Sequence, residues 1–269
     1  MLLVFLLLCG FISCKSSAGP SASTNTSTAS PADREDNSPL LSKAKTAEEA
    51  TGYGISYLSE AKWEFDFVYL YSYLQPKFGW RNLPAQAQTL SIQDSLRNAG
   101  SNSQVQEFKL FQRLIDPQFV LVPEDYDRAK DVDAITVPAL YCDRYPLDTA
   151  TYFPVLRTQS DAGNYAASHA LLAFIWAEEK HCLSRSNAPK LYAQIIAANE
   201  ALLGERPIWT DLQLEAAALL SAAGKTLPDE WKKEVIALQN ADGGWSDSMK
   251  GTQSDSHATI LAMWFLTVE

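Results

Sequence analysis

Residues 239–245 read Gln239-Asn240-Ala241-Asp242-Gly243-Gly244-Trp245, and they lie between two segments of opposite character. Residues 228–240 carry apolar side chains on one helical face and charged ones on the other, whereas residues 258–266 are apolar on all sides. A helix without a polar face must be covered all round, and an amphipathic helix provides such cover. The two glycines permit a tight turn between the segments. This stretch therefore predicts a hairpin of one outer and one inner helix.

The same alternation occurs earlier in the chain. Residues 170–177 are apolar on all sides, and residues 188–203 are amphipathic. Apolar periodicity and terminal Pro and Gly residues predict helices at 55–74, 86–98, 103–115, 124–132, 147–158, 167–183, 188–203, 209–223, 228–240 and 255–267. The β-branched residues 135–137 stop at Pro138 and are assigned to no strand. Stacked antiparallel hairpins are typical of this pattern, so we expect an all-α domain with inner and outer helix layers over residues 51–269.

A repeat supports this interpretation. Ser168-His169-Ala170 opens one buried helix and Ser256-His257-Ala258 opens another. Each triplet follows a turn rich in Gly, Asp and Asn and an aromatic residue, Tyr165 in the first copy and Trp245 in the second. Residues 75–80 resemble a third, degraded copy. Recurring units of this kind indicate a helical array.

The segment around Gln239, Asp242, Gly243, Gly244 and Trp245 resembles the repeat of terpenoid cyclases and protein prenyltransferases. The resemblance is clear over 228–269, weaker over 147–224 and faint before that. It implies an α/α toroid, in which inner and outer helices form concentric layers. About ten helices are fewer than the twelve of a complete toroid, so the resemblance implies a partial one. In this motif the Gln239 amide would bond backbone groups and Trp245 would lie across helix ends.

The catalytic motifs of that family are only partly present in this sequence. Class II cyclases use an Asp-x-Asp-Asp motif, and Asp131-Val132-Asp133-Ala134 keeps two of the three aspartates outside the clear repeats. We assign it to a solvated helix end. Prenyltransferases bind zinc through Asp, Cys and a His that begins an inner helix. By resemblance, Cys142, Asp143 and His169 are the candidate zinc ligands here, although the sequence itself requires no cofactor.

The chain begins with an apolar run, Leu2 to Leu8, which is too short to span a bilayer and is typical of a signal peptide. Phe11-Ile12-Ser13-Cys14 then resembles a bacterial lipobox, in which Cys14 receives diacylglycerol and palmitate and becomes the mature N-terminus. The usual leucine is replaced by Phe11. The alternative is an ordinary secretory signal with an incidental cysteine.

Residues 15–36 are rich in Ser, Thr, Ala, Pro and Asn and predict a disordered tether. The expected organisation is a lipoprotein signal peptide at 1–13, lipidated Cys14 with its tether at 14–50, and the helical domain at 51–269. By resemblance to Gram-negative lipoproteins, the absence of Asp at position 15 favours the outer membrane over the inner. The membrane is then a partner through the lipid.

Apart from Cys9 in the signal peptide and the lipidation candidate Cys14, the chain has two cysteines, Cys142 and Cys182. In an oxidising compartment they could form a disulfide. They could equally be two buried thiols, since free cysteine is among the most buried residue types. No spacing rule decides between these alternatives.

His169 and His257 both begin buried helices, where the helix dipole disfavours the charged imidazolium. A neutral imidazole accepts protons or binds metals. One hypothesis places His169 at a concave site with Tyr165, Asp143, Cys142 and Asp161 as neighbours. The other makes each histidine a structural first-turn residue. His181, at a helix end, favours a structural role.

Composition narrows the function classes. The net charge of −10 argues against nucleic acid as a partner, because nucleic acids require basic patches. The segment from 53 to 73 is crowded with tyrosine, tryptophan and phenylalanine, which suit a glycan or protein surface but also a helix interface. We expect a non-catalytic binding or scaffold protein of the cell envelope, with a glycan or an envelope protein as partner. The alternative is a toroid-type enzyme, resembling a polysaccharide lyase or depending on zinc, with a site around His169.

Overall fold

A computed structural model describes residues 44–61, 65–81, 83, 108–248 and 251–268. These parts of the chain are mostly helical and contain no strand, so the fold class is all-α. The helices, numbered in chain order, are α1 (Ala47–Glu60), α2 (Phe65–Phe78), α3 (Pro123–Tyr126), α4 (Asp133–Tyr141), α5 (Thr149–Ala162), α6 (Asn164–Glu179), α7 (Pro189–Leu203), α8 (Asp211–Ala222), α9 (Asp229–Ala237) and α10 (Ser256–Thr267). A 3-10 turn covers Gln112–Leu114. The predicted signal, Cys14, most of the tether and the helix predicted at 86–98 lie outside the described residues.

The helix ends follow local chemistry. Thr210 and Gln213 form a reciprocal capping box at the start of α8, which satisfies backbone N–H groups that have no helical acceptor. Asp255 caps α10 by accepting a hydrogen bond from the Ala258 N–H at 2.9 Å. Gly204 ends α7 with a φ of 62°, a conformation that glycine adopts without steric cost.

The helix prediction differs from the structure in three places. The helix predicted at 124–132 is only the short α3, which ends at Tyr126. The helix predicted at 55–74 is two helices, α1 and α2, and α1 begins at Ala47, inside the segment assigned to the tether. Helix α4 was not predicted, and it continues through Pro138. A proline inside a helix removes one backbone hydrogen bond. Six of the nine residues of α4 are buried, so packing offsets that loss.

Four helices supply most of the core: α4, α6, α8 and α10. Every residue from Leu214 to Ser221 of α8 and from Ala258 to Leu266 of α10 is buried. These helices pack in a continuous row, with α4 against α6, α6 against α8, α8 against α10, and α10 against α2. The more polar helices α5, α7, α9 and α1 contact the row and one another in pairs, α5 with α7 and α9 with α1.

The turn at 239–245 is held by contacts with α1. The Gln239 side-chain amide donates to the Ala50 and Gly243 carbonyls, each at 2.8 Å. Trp245 is fully buried, and its indole N–H donates to the Val235 carbonyl at 2.8 Å. Gly243 has a φ of 91°, and a Cβ placed there would lie 2.6 Å from the Tyr53 carbonyl oxygen. The turn is therefore a structural motif whose glycine is required by close packing.

A disulfide joins Cys142, just after α4, to Cys182, just after α6, with the two Cα atoms 6.1 Å apart. Of the two alternatives for these cysteines, the structure contains the bonded one. The bridge fixes the carboxyl ends of α4 and α6 next to each other. His181, beside it, has a φ of 60°, the left-handed conformation that often ends a helix.

Candidate functional site

A central cleft of about 290 Å³ opens between helices α2, α4, α6, α8 and α10 and the segment at 111–114. Its inner wall is largely apolar and aromatic, formed by Tyr69, Phe111, Leu172, Trp176, Leu261 and Trp264. The end near the N-termini of α6, α8 and α10, called the mouth below, carries Tyr165, His169, Glu215 and His257. Apolar concavities with a few convergent polar groups are typical of small-molecule sites.

The polar groups of the mouth form two levels. Tyr165, Asp211 and His257 are connected by hydrogen bonds, and consecutive members are 46 residues apart. His169 and Glu215 form the next level, one helical turn further along α6 and α8. Because the spacing is equal, α6, α8 and α10 each contribute one residue to each level. His257 of α10 therefore lies on the same level as Tyr165 of α6. His169, which the sequence repeat matches to His257, lies one helical turn away.

His169 is fixed by its own helix. Its Nδ1 lies 2.8 Å from the Tyr165 carbonyl oxygen, which can only accept, so Nδ1 carries the proton and donates. In the neutral ring Nε2 is then the acceptor. The same Nδ1 lies 3.5 Å from Glu215 Oε1, and the His169 side chain is 28% exposed. The residue thus combines features of both hypotheses, a backbone-bonded ring and an exposed edge in a cleft.

Tyr165, Asp211 and His257 form a hydrogen-bonded chain. The Tyr165 hydroxyl donates to Asp211 Oδ2 at 2.9 Å, and Asp211 Oδ1 lies 3.1 Å from His257 Nδ1. Burial, followed by the Asp211 charge, raises the pKa of the Tyr165 hydroxyl. Tyr165 is therefore protonated at neutral pH. Asp211 orients the His257 ring, with the Nδ1 proton toward the carboxylate and Nε2 as the basic nitrogen.

Glu215 is a buried acid in the wall of the cleft. Its side chain is only 6% exposed, and Oε2 makes no hydrogen bond to any described residue. Burial raises the pKa of the Glu215 carboxyl, while the neighbouring His169 and His257 rings oppose that rise. An incompletely paired carboxyl in a low-dielectric environment is a common feature of functional sites.

Beside the mouth lies a shallow depression of about 400 Å³, lined by Thr210, Asp211, Asp247 and Asp255 and shared with Tyr165 and His257. No lysine or arginine among the described residues lines the cleft or this depression. The described residues around the mouth therefore carry more carboxylates than basic groups.

A separate groove of about 500 Å³ lies on the other side of Trp176 and Leu114, which line both cavities. It carries Lys77, Arg113 and Lys180 together with Glu179. Burial, followed by the Arg113 charge, lowers the pKa of the Lys180 amine. The described lining of this groove thus holds more basic than acidic side chains, the reverse of the cleft.

The expectation that Asp143 lies beside His169 is wrong. Asp143 forms a two-pronged ion pair with Arg113, at 2.5 and 2.6 Å, and this pair lowers the pKa of its carboxyl. The neighbouring Cys142 is bonded to Cys182 at the far end of α6, thirteen residues from His169. Ten residues separate His169 from the end of α6 at Glu179, about 15 Å at 1.5 Å per helical residue, so Asp143 lies near the opposite end of α6 from the histidine.

The zinc hypothesis built on Cys142, Asp143 and His169 fails for the same reason. Cys142 is in a disulfide and offers no thiolate, which is the ligand form of cysteine. Within the described ranges no three His, Cys, Asp or Glu side chains are grouped to hold a metal ion. Asp161 is also outside the cleft, because its carboxylate accepts from the Gln194 amide at 2.6 Å on the surface.

Other residues were missed or misplaced by sequence reasoning. Asp133, assigned to a solvated helix end, begins α4 and lines the cleft. Asp211 and Glu215 were not proposed as site residues. Glu215 had a detectable signal, since it is the one charged residue between Leu212 and Ala223, a segment long enough for a buried helix. The aromatic segment is mostly interface, with Phe67 and Tyr71 buried in the core.

Comparison with known proteins gave no match to a family model, to a curated protein or to a solved structure. The helices in the described ranges include none long and apolar enough to cross a membrane.

Proposed function

We propose that this chain is a lipid-anchored cell-envelope protein whose helical domain binds a small ligand in the central cleft. The observation that carries the proposal is the convergence of Tyr165, His169, Glu215 and His257 on an apolar cavity of about 290 Å³. Five of the described helices contribute to that cavity, so the ligand would contact most of the domain. An interior site of this kind favours small-molecule binding over a purely structural role.

The helix contacts support a partial α/α toroid as the framework. In that arrangement α4, α6, α8, α10 and α2 form the inner layer around the cleft, and α5, α7, α9 and α1 form the outer layer. The 46-residue spacing of Tyr165, Asp211 and His257 fits a two-helix repeat. The turn at 75–80 adds a further copy, because the Gln75 amide donates to the Trp80 carbonyl at 2.9 Å much as Gln239 bonds across its own turn.

Membrane attachment is proposed from the sequence around Cys14, with the outer membrane as the site. The proposal predicts that the intact protein partitions into detergent and carries lipid on Cys14. A Cys14→Ser variant should appear in the soluble fraction. An unacylated, soluble wild-type protein would contradict the anchor without affecting the cleft.

The binding function is tested by filling the cleft. Leu172 lines it and is partly exposed, so Leu172→Trp should occupy the cavity without creating a core defect. Metabolites and glycans would be screened against the full-length protein by thermal shift and calorimetry. We expect ligands that stabilise the wild type and fail to bind Leu172→Trp. Ile208→Trp, at a position 67% exposed, is the matched control. Ligands that bind all three proteins equally would place the site elsewhere.

A second candidate, an acid–base enzyme, is favoured by the Tyr165–Asp211–His257 chain. A protonated tyrosine beside an oriented imidazole can donate a proton to a leaving group while the imidazole removes one, as a polysaccharide lyase requires. The test is the ultraviolet absorbance of unsaturated products after incubation with glycans. Turnover that disappears in Tyr165→Phe, with glycan binding retained, would establish the enzyme. Binding without turnover would leave the first proposal.

A further inference from the structure

Resting on the proposed binding function, we infer that the ligand of the central cleft is an organic ammonium ion, a basic nitrogen joined to a small apolar body. Three independent features of the cleft lead to this class of ligand: its charge, the pairing state of Glu215 and the aromatic content of its wall.

The charge of the cleft selects against anions. Five carboxylates line the cleft and the adjoining depression: Asp133, Asp211, Glu215, Asp247 and Asp255. The basic groups lining these two cavities, over the described residues, are the His169 and His257 imidazoles alone. A carboxylate or phosphate ligand would meet repulsion here, whereas a cation is attracted and concentrated. The groove on the other side of Trp176, with three basic residues, would suit an anion better.

Glu215 supplies a specific acceptor for such a cation. It is nine-tenths buried, lines the cleft, and its Oε2 has no hydrogen-bond partner among the described residues. A buried carboxylate oxygen without a partner costs free energy, and an N–H donor removes that cost. An ammonium group offers three such donors, and one of them can satisfy Glu215 Oε2.

The wall of the cleft suits the rest of the ligand. Tyr69, Phe111, Trp176 and Trp264 supply aromatic surface for an apolar body and for cation–π contact with the charged end. The volume of 290 Å³ is at the lower limit of pockets for drug-sized ligands, roughly 300 Å³. The ligand is therefore small.

Three matched probes test the inference with the full-length protein: 4-phenylbutylamine, 4-phenylbutanol and 4-phenylbutyrate. Binding would be followed at neutral pH by calorimetry and by the change in tryptophan fluorescence, to which Trp176 and Trp264 in the cleft contribute. We expect the amine to bind at least about tenfold more tightly than the alcohol, and the butyrate to bind most weakly. Glu215→Gln should weaken the amine about tenfold while leaving the alcohol within about twofold. Glu200→Gln, on the surface of α7 where Glu200 pairs with Lys225, should change neither.

The salt dependence of the wild type gives a second readout that needs no variant. Raising the ionic strength should weaken the amine and leave the alcohol unaffected. Alcohol or butyrate binding as tight as that of the amine, with all three blocked by Leu172→Trp, would overturn the ammonium class and keep the cleft as a binding site. If none of the three binds at millimolar concentration, the ammonium inference is overturned, and ligands of any class that Leu172→Trp blocks would still support the binding function.

Discussion

The Tyr165 hydroxyl donates a 2.9 Å hydrogen bond to Asp211 Oδ2 and so connects the first turns of α6 and α8. The same carboxylate faces His257 on α10, so one aspartate links the starts of three buried helices. Tyr165 itself is 44% exposed at the mouth of the cleft. The contact therefore belongs to the site as well as to the packing of the helices.

A double-mutant cycle measures this contact. Tyr165→Phe keeps the ring and removes the hydroxyl, and Asp211→Asn keeps the shape and removes the charge. Each change should lower the free energy of unfolding by about 1 kcal/mol, with a coupling of similar size, because a charge-assisted hydrogen bond is lost at a half-exposed position. Urea denaturation provides the measurement, and Tyr53→Phe, at a position with no such bond, is the control. Additive effects would mean that the hydrogen bond contributes nothing to stability.

The sequence predicted the type of fold because its signals are local. The apolar stretches at 170–177 and 258–266 require cover, and Gly204 and Gly243 mark turns; all four features are present in the structure. Helix α4 could not be predicted from local rules, since Pro138 opposes a helix and only burial by neighbouring helices offsets it.

The candidate site was predicted only in part, because side-chain register between helices is not a local property. His169 and Tyr165 lie at the cleft, but Asp143 lies near the opposite end of α6, where Arg113 binds it. Matching the two Ser-His-Ala triplets suggested equivalent histidines. Packing instead aligns His257 with Tyr165 and leaves His169 beside Glu215. That offset of one turn appears only when the helices are assembled.

Gly243 should tolerate no side chain. Gly243→Ala would place a Cβ 2.6 Å from the Tyr53 carbonyl oxygen at a φ of 91°, and should lower the free energy of unfolding by about 2–3 kcal/mol. Gly52 lies inside α1 with nothing within 4 Å of its Cβ position. Gly52→Ala should therefore be neutral or stabilise by up to about 1 kcal/mol. Thermal melts of the two variants give the comparison, and equal melting temperatures would remove the packing argument.

The Arg113–Asp143 pair should make stability fall at acid pH. Arg113 is 5% exposed, and the pair lowers the pKa of Asp143. A lowered carboxyl pKa gives stability that is present above the unfolded value, about 3.9, and lost as pH falls through the folded value. Asp143→Asn should cost about 3 kcal/mol at neutral pH, since it leaves a buried guanidinium unpaired. The variant should also show a smaller loss of unfolding free energy at acid pH when urea denaturation is repeated across a pH series. Asp161→Asn, on the surface, should reproduce the wild-type curve.

Reduction of the Cys142–Cys182 bridge should destabilise the domain without unfolding it. The two cysteines are 40 residues apart. Closing a loop of that length lowers the entropy of the unfolded chain and so raises its free energy by about 4 kcal/mol. The expected outcome is a lower denaturation midpoint in reductant and in a Cys142→Ala/Cys182→Ala variant, with helical circular dichroism retained. Identical midpoints with and without reductant would show that the bridge does not contribute to stability in solution.

Glu215 should give the opposite pH dependence to Asp143. Burial raises the pKa of its carboxyl, with His169, His257 and Asp211 as the charged groups around it. The folded protein then binds more protons than the unfolded chain, so stability falls as pH rises from the unfolded value of about 4.3 through the folded pKa.

Glu215→Gln has no proton to lose and should remove this decline. The difference in unfolding free energy between variant and wild type should therefore grow in favour of Gln as pH rises above about 4.3 and level off above the folded pKa, as measured by urea denaturation at each pH. Asp211→Asn tests the assignment independently: loss of that neighbouring negative charge should lower the pKa of Glu215 and move the wild-type decline to lower pH. Parallel stability curves for wild type and Glu215→Gln across this range would mean that folding does not raise the pKa of Glu215.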